Sequence, residues 1–105
     1  MPEYIASKHA VAGLTKTAAL ECATNGIRVN GVAPAAIDSA MLSKIEKNMS
    51  AEDVETVRKQ IQSIVLMGRY GLPKEVTQVV LFLASEQASF FTGATYPVDG
   101  GSLAT

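Results

Sequence analysis

Tyr4 and Lys8 are residues whose types and spacing could support proton transfer. They lie four positions apart in a stretch without proline, so on a helix their side chains are one turn apart on the same face. A tyrosine hydroxyl, with a reference pKa of about 10, is a poor base at neutral pH, and a neighbouring ammonium stabilises the phenolate form. The pair predicts a general acid/base at Tyr4 that Lys8 assists. A solvated helix surface is the alternative interpretation, because this spacing occurs often by chance.

A long helix over residues 4–24 is expected to position the pair. Helix formers are dense there and no proline interrupts them. Small or apolar residues recur with helical spacing at Ala6, Ala10, Gly13, Leu14, Ala18 and Cys22. Asn25 and Gly26 predict the end of the helix, because either residue can adopt the left-handed conformation that closes a last turn.

Two strands are predicted after this helix. Residues 27–33 alternate apolar with polar or small side chains and end at Pro34, which cannot donate a ladder hydrogen bond. Residues 94–98 predict a second strand, and Pro97 restricts it to the edge of a sheet.

The segment between the strands predicts further helices. Residues 36–67 begin as a loop, with a short helical stretch expected over 41–47. Ser50 followed by Asp53 resembles a capping box at the start of a helix. Its apolar face is predicted to contain Val54, Val57, Ile61, Ile64 and Val65. Pro73 suits the first turn of a last helix over 73–86.

The order of these elements predicts an α/β fold. A crossover connection gives parallel strands with helices packed on the sheet. Parallel sheets are normally buried on both faces and contain several strands. Two parallel strands with three or four helices are therefore expected to be incomplete by themselves.

Composition limits the partners and the compartment. The 105 residues, 48% hydrophobic and 18% charged, suit one small globular domain. A net charge of -1, with nine dispersed basic residues, excludes the electrostatic footprint of a nucleic-acid or anionic-membrane partner. Cys22 is the single cysteine, so we expect a reducing, cytoplasmic location. Because His9 is the single histidine, we expect no metal site.

Four ordered segments carry a family resemblance. Residues 4–14, YIASKHAVAGL, resemble the active-site helix of the short-chain dehydrogenase/reductase family nearly residue for residue. Residues 28–34 are similar to its sixth strand and the following turn, and residues 68–85 to its penultimate helix with the preceding loop. Residues 92–93, Thr-Gly, and residues 98–101, Val-Asp-Gly-Gly, resemble its closing strand and turn. The resemblance covers essentially the whole chain and implies the C-terminal half of a Rossmann-like, doubly wound parallel sheet.

The resemblance implies an NAD(P)-dependent oxidoreductase that moves hydride between the nicotinamide and an alcohol or ketone. Tyr4 would exchange a proton with the substrate oxygen, while Lys8 would assist it and contact the nicotinamide ribose. Pro34, Ile37 and Ser39 fall where the family contacts the nicotinamide end of NAD or NADP.

Two residues depart from the family pattern in this region. Ala35 stands where a glycine usually follows the proline, and Ser39 where threonine is usual. The methyl group of Ala35 would matter if the backbone there required a positive φ. Simpler interpretations remain open: Pro34 ends a strand, Ile37 belongs to a core, and Ser39 is a loop residue that faces solvent.

The resemblance also assigns residues 36–67 to the variable substrate segment of the family. Its candidates for an apolar substrate pocket are Met41, Leu42, Ile45 and Met49. Ordinary core packing is the alternative for these side chains. Residues 99–101, Asp-Gly-Gly, predict a tight turn rather than a ligand site.

The family places further features ahead of its tyrosine, namely a glycine-rich phosphate-binding turn, a catalytic serine and a relay asparagine. Only three residues precede Tyr4, and none of the eight glycines has the required spacing after a strand. Two hypotheses follow. The chain is a portion of an oxidoreductase that binds no coenzyme and is inactive by itself, or it is a structural or interaction module that self-associates through helix faces and strand edges. We expect a homo-oligomer.

Overall fold

Three helices and two strands are present in the described part of the chain. The structure is a computed structural model that describes residues 1–39 and 51–104, with residues 51 and 52 described by their backbone alone. In chain order the elements are α1 (Pro2–Cys22), β1 (Gly31–Pro34), α2 (Ala51–Ile64), α3 (Pro73–Ala84) and β2 (Thr95–Val98). Short 3-10 turns lie at Ala23–Asn25 and Glu86–Ala88.

Local sequence accounts for both ends of α1. Pro2 occupies the first turn, where a helix does not need its missing N–H. Gly26 has φ 75° and donates its N–H to the carbonyl oxygen of Ala23 at 3.1 Å. The 3-10 turn that follows α1 therefore ends at the glycine that predicted the end of the helix.

β1 and β2 form a two-stranded parallel sheet. The Gly31 N–H donates to the Ala94 carbonyl at 2.9 Å, and the Ala35 N–H donates to the Val98 carbonyl at 3.1 Å. Both strands advance in the same direction between these bonds, as parallel pairing requires. The predicted α/β class is confirmed.

β1 begins at Gly31, so the prediction of a strand over 27–33 is wrong for its first residues. Side chains supply part of the hydrogen bonding there. The Val29 N–H donates to Thr92 Oγ1 at 3.0 Å, and the Asn30 side-chain amide donates to the Phe91 carbonyl at 2.8 Å. Regular ladder pairing consequently starts only after Asn30.

The Arg28 side chain caps the C-terminal end of α3. Its Nη1 donates to the Leu83 carbonyl at 2.7 Å, and its Nη2 donates to the Ser85 carbonyl at 3.2 Å. The last carbonyls of a helix lack partners within the helix. Ser85 is extended, with φ -91° and ψ 165°, so α3 ends at Ala84 instead of at residue 86 as predicted.

The described chain divides into two compact units. The first comprises Met1–Val32 and Val79–Tyr96. Its buried side chains are Thr15, Ala19 and Ala88. Within this unit the rings of Phe82 and Phe91 meet edge to face, with centroids 5.3 Å apart.

The second unit comprises Ala33–Gln78 and Pro97–Thr105. Val65 is buried there, with 4% of its surface exposed, and a Cβ added at Gly100 would lie 2.5 Å from its Cγ1. Asp99 Oδ1 accepts a hydrogen bond from the Gly101 N–H at 2.9 Å. The predicted turn at 99–101 therefore packs directly against the residue that follows α2.

The apolar face predicted for α2 is correct in part. Val54, Val57 and Ile61 are half-buried, whereas Ile64 is 64% exposed, so its assignment to the face is wrong. Val65, also predicted for this face, is buried against Gly100. The expected helical stretch over 41–47 and the capping residue Ser50 lie outside the described residues.

α1 exposes several apolar side chains. These are Ile5, Val11, Leu14 and Leu20, each more than half exposed. Among the helices of residues 1–39 and 51–104, none combines the length and apolar character that crossing a membrane requires.

Candidate active site

Tyr4 and Lys8 lie on the same face of α1. The Lys8 Nζ is 5.2 Å from the centroid of the Tyr4 ring, within the range of a cation–π contact. Tyr4 is 55% exposed, so a small molecule can approach its ring and hydroxyl. The arrangement places a positive charge over the face of a phenol ring that solvent reaches.

The residues beside this pair make bonds within the helix. The Ser7 hydroxyl donates to the Tyr4 carbonyl oxygen at 2.8 Å, and His9 Nδ1 lies 2.9 Å from the Ile5 carbonyl oxygen. The Ser7 hydroxyl and one ring nitrogen of His9 are therefore bonded to the backbone of α1. Tyr4 and Lys8 remain the pair with candidate chemistry in this part of α1.

The predicted coenzyme contacts follow β1. Pro34 is exposed at the end of the strand. Ile37 pairs with Gly71 in a parallel bridge, in which the Asp38 N–H donates to the Gly71 carbonyl and the Gly71 N–H donates to the Ala36 carbonyl, both at 2.9 Å. This bridge joins the chain just after β1 to the segment that precedes α3. Ser39 is half-buried at the end of the same stretch.

The strained backbone position in this stretch is Ala36. Among the described residues it is the only non-glycine residue with a positive φ, at 56°. Ala35, which stands where the family usually has glycine, therefore does not need positive φ. The departure at Ala35 carries no backbone penalty, and the left-handed conformation falls one residue later.

A cavity of about 300 Å³ lies within the second unit. Ala35 and Ile37 contribute to its wall together with Val65 and Met67. A Cβ added at Gly71 would lie 2.8 Å from Ile37 Cδ1, so a glycine there leaves room for the isoleucine. Ile37 is half-buried beside this cavity, which agrees with either a core or a ligand-facing role.

Two of the three charged residues of the cavity wall, Arg69 and Glu75, are bonded to each other. Arg69 Nη1 donates to Glu75 Oε1 at 2.9 Å, and Nη2 donates to Oε2 at 3.0 Å. The Leu72 N–H also donates to Oε1 at 2.9 Å. The Arg69 hydrogen bonds, followed by the Leu72 N–H, lower the pKa of Glu75 to about 2, and the same pairing raises the pKa of Arg69. The third charged residue of the wall, Asp99, accepts hydrogen bonds from the Gly101 and Leu103 N–H groups.

A cluster that sequence patterns did not indicate joins three segments. Arg58 Nη2 lies 3.4 Å from Asp38 Oδ1, and Arg58 Cζ lies 4.9 Å from the centroid of the Tyr70 ring. The three residues are far apart in the chain, so periodicity gave no signal for their association. The proposed pocket residues Met41, Leu42, Ile45 and Met49 lie outside the described residues.

Comparison with known proteins places this site in context. Residues 1–102 match the model of the family described as "Enoyl-(Acyl carrier protein) reductase". Short-chain dehydrogenase fogB of Aspergillus ruber is 46% identical over 102 residues, which are 97% of this chain and 36% of that protein.

Solved structures show the same likeness. Levodione reductase matches with a TM-score of 0.88 and 37% identity over 97% of this chain and 40% of its own. A putative 2-deoxy-d-gluconate 3-dehydrogenase from Agrobacterium tumefaciens, solved with bound NADP, matches with a TM-score of 0.85 and 36% identity over 99% of this chain and 40% of its own. The chain thus spans well under half the length of each of these proteins.

Proposed function

Because the chain belongs to the short-chain dehydrogenase/reductase family, whose members are NAD(P)-dependent oxidoreductases, we propose that it carries the acid/base part of a site that moves hydride between a nicotinamide and an alcohol or ketone. The observation that supports this most directly is the Tyr4–Lys8 pair, with the ammonium 5.2 Å from the ring centroid. Family membership gives the pair a chemical context that its spacing alone lacks.

Tyr4 is the general acid/base in this proposal. Its hydroxyl gives a proton to the substrate oxygen during reduction and takes one from the alcohol during oxidation. Lys8 stabilises the phenolate that remains after the proton has left, because opposite charges attract. The 55% exposure of Tyr4 allows the substrate oxygen to reach it.

The residues of this chain fit the nicotinamide end of a coenzyme. The Lys8 ammonium makes a cation–π contact with the Tyr4 ring. Because it has three N–H donors, it can also donate a hydrogen bond to a ribose hydroxyl. Pro34, Ile37 and Ser39 would border the nicotinamide, and the bridge to Gly71 fixes the middle of this stretch. NAD or NADP, when bound, supplies or accepts the hydride.

The remaining assignments belong to the same proposal. Met41, Leu42 and Ile45, which lie outside the described residues, are the residues that the proposal assigns to contacts with a small alcohol or ketone. A cytoplasmic location follows from the single cysteine, Cys22. Because a glycine-rich phosphate-binding turn is not among its 105 residues, the isolated chain binds coenzyme weakly and does not turn substrate over.

Two assays test the proposal. Titration of the purified chain with NADH and NADPH, followed by coenzyme fluorescence, should show no saturable binding at micromolar concentrations. A chimera that joins the segment of levodione reductase ahead of the match to this chain should consume NADH or NADPH when levodione is added. Saturable micromolar binding by the isolated chain would contradict the expected weakness of the site.

Tyr4→Phe in the chimera removes only the hydroxyl. We expect turnover to fall about 10²–10⁴-fold, the usual contribution of a general acid/base, with an unchanged circular dichroism spectrum. Tyr96→Phe is the matched control, because it makes the same chemical change on β2. Turnover that survives Tyr4→Phe would refute the role assigned to the tyrosine.

Self-association is a second candidate role, and the exposed apolar side chains of α1 favour it. Such surfaces commonly mark interfaces between protein chains. Light scattering on the isolated chain should then report a homo-oligomer. A stable monomer at the concentrations used for the coenzyme titration would argue against this role.

A further inference from the structure

Arg58 connects α2 to two other segments of the second unit. Its Nη2 lies 3.4 Å from Asp38 Oδ1, and its Cζ lies 4.9 Å from the centroid of the Tyr70 ring. An ion pair and a cation–π contact therefore meet at one planar guanidinium. Arginine suits this task, because it can pair with a carboxylate through its edge and stack on a ring through its face.

The two segments that Arg58 contacts are themselves paired. Asp38 directly follows Ile37, and Tyr70 directly precedes Gly71, so each contact lies next to the Ile37–Gly71 bridge. The bridge is held by two hydrogen bonds of 2.9 Å, one of which uses the Asp38 N–H. Arg58 thus adds a side-chain connection from α2 to two segments whose backbones pair at a single bridge.

A second ion pair on α2 shows what distinguishes Arg58. Lys59 Nζ lies 3.3 Å from Glu55 Oε1, and both side chains are 72% exposed. That pair stays within one helix and, among the described residues, joins no other segment. The Arg58 and Asp38 side chains are 37% and 48% exposed, and their pair joins residues that are twenty positions apart.

We propose that Arg58 is a positioning residue that holds the stretch Ile37–Ser39 in the conformation that meets the nicotinamide end of the coenzyme. The proposal rests on the proposed function for the role of that stretch. Arg58 itself does not touch coenzyme in this scheme. It acts through Asp38 and Tyr70, which fix the two sides of the bridge.

Amide hydrogen exchange of the 105-residue chain, followed by NMR, tests the positioning step without coenzyme. In Arg58→Gln we expect the Asp38 and Gly71 amides to exchange about fivefold faster, since an exposed ion pair and a cation–π contact are both weak but are lost together. Arg58→Lys keeps the charge but loses the planar face that stacks on Tyr70, so it should restore part of the protection. Lys59→Gln, the matched control, should leave both amides unchanged.

The exchange results decide the proposal directly. Equal rates in Arg58→Gln and Lys59→Gln would overturn it, because Arg58 would then be an ordinary surface residue. A uniform increase at every amide would also overturn it, because the loss would be global instead of local. Faster exchange confined to the bridge, with partial rescue by Arg58→Lys, supports it.

The coenzyme readout separates this proposal from the proposed function. In the levodione reductase chimera, Arg58→Gln should raise the KM for NADH or NADPH about fivefold and leave kcat within about twofold. An unchanged KM in an active chimera would overturn the link between Arg58 and the coenzyme. An inactive parent chimera would instead count against the proposed function, while the exchange experiment still decides whether Arg58 positions the stretch.

Discussion

Replacing Gly100 with alanine should destabilise the chain more than the same replacement at Gly68. Both glycines are left-handed, with φ 60° and 73°, and an alanine in that conformation costs about 1–2 kcal/mol. A Cβ at Gly100 would lie 2.5 Å from Val65 Cγ1, whereas nothing lies within 4 Å of a Cβ at Gly68. Val65 is 4% exposed, so overpacking adds about 1–3 kcal/mol at Gly100 alone.

The expected loss is therefore about 2–5 kcal/mol for Gly100→Ala and about 1–2 kcal/mol for Gly68→Ala. Urea unfolding of each variant, followed by circular dichroism, measures the difference. Val65→Ala removes the methyl group that the new Cβ meets, so in that background Gly100→Ala should cost no more than Gly68→Ala. Equal losses at the two glycines, or an unchanged cost in the Val65→Ala background, would refute the steric reasoning.

Three further changes give measurable results. Hydrogen bonds from Arg69 hold the pKa of Glu75 at about 2, below its ordinary 4.5, so its stabilisation is present above pH 4.5 and is lost as the pH falls toward 2. Glu75→Gln should reduce the pH dependence of the free energy of unfolding between pH 4.5 and 2. An acid titration measures this dependence, and an unaltered one would contradict the reasoning. Arg28→Met removes the hydrogen bond to the Leu83 carbonyl and should lower the free energy of unfolding in urea by about 2–4 kcal/mol. A negligible loss would show that water replaces the guanidinium. Ala36→Gly relieves a φ of 56° and should stabilise the chain by about 1 kcal/mol, so a lowered midpoint of denaturation would count against strain at this residue.

Local patterns predicted the elements better than their limits. The α1 helix and the turn that closes at Gly26 follow from helix formers and a left-handed glycine, both of which act within one turn. The start of β1 could not be predicted in this way, because Val29 bonds to Thr92, a residue of distant sequence position. The exposure of Ile64 escaped prediction for the same reason, since the burial of Val65 depends on Gly100.

In the candidate site, too, contacts within one helix could be predicted from the sequence and contacts between distant segments could not. The four-residue spacing of Tyr4 and Lys8 placed them on one face because an α-helix repeats every 3.6 residues, and no distant part of the chain is needed for that. The association of Arg58 with Asp38 and Tyr70 was decided only by tertiary structure. Helix geometry relates residues within about a turn, whereas contacts between distant segments depend on the path by which the chain brings them together.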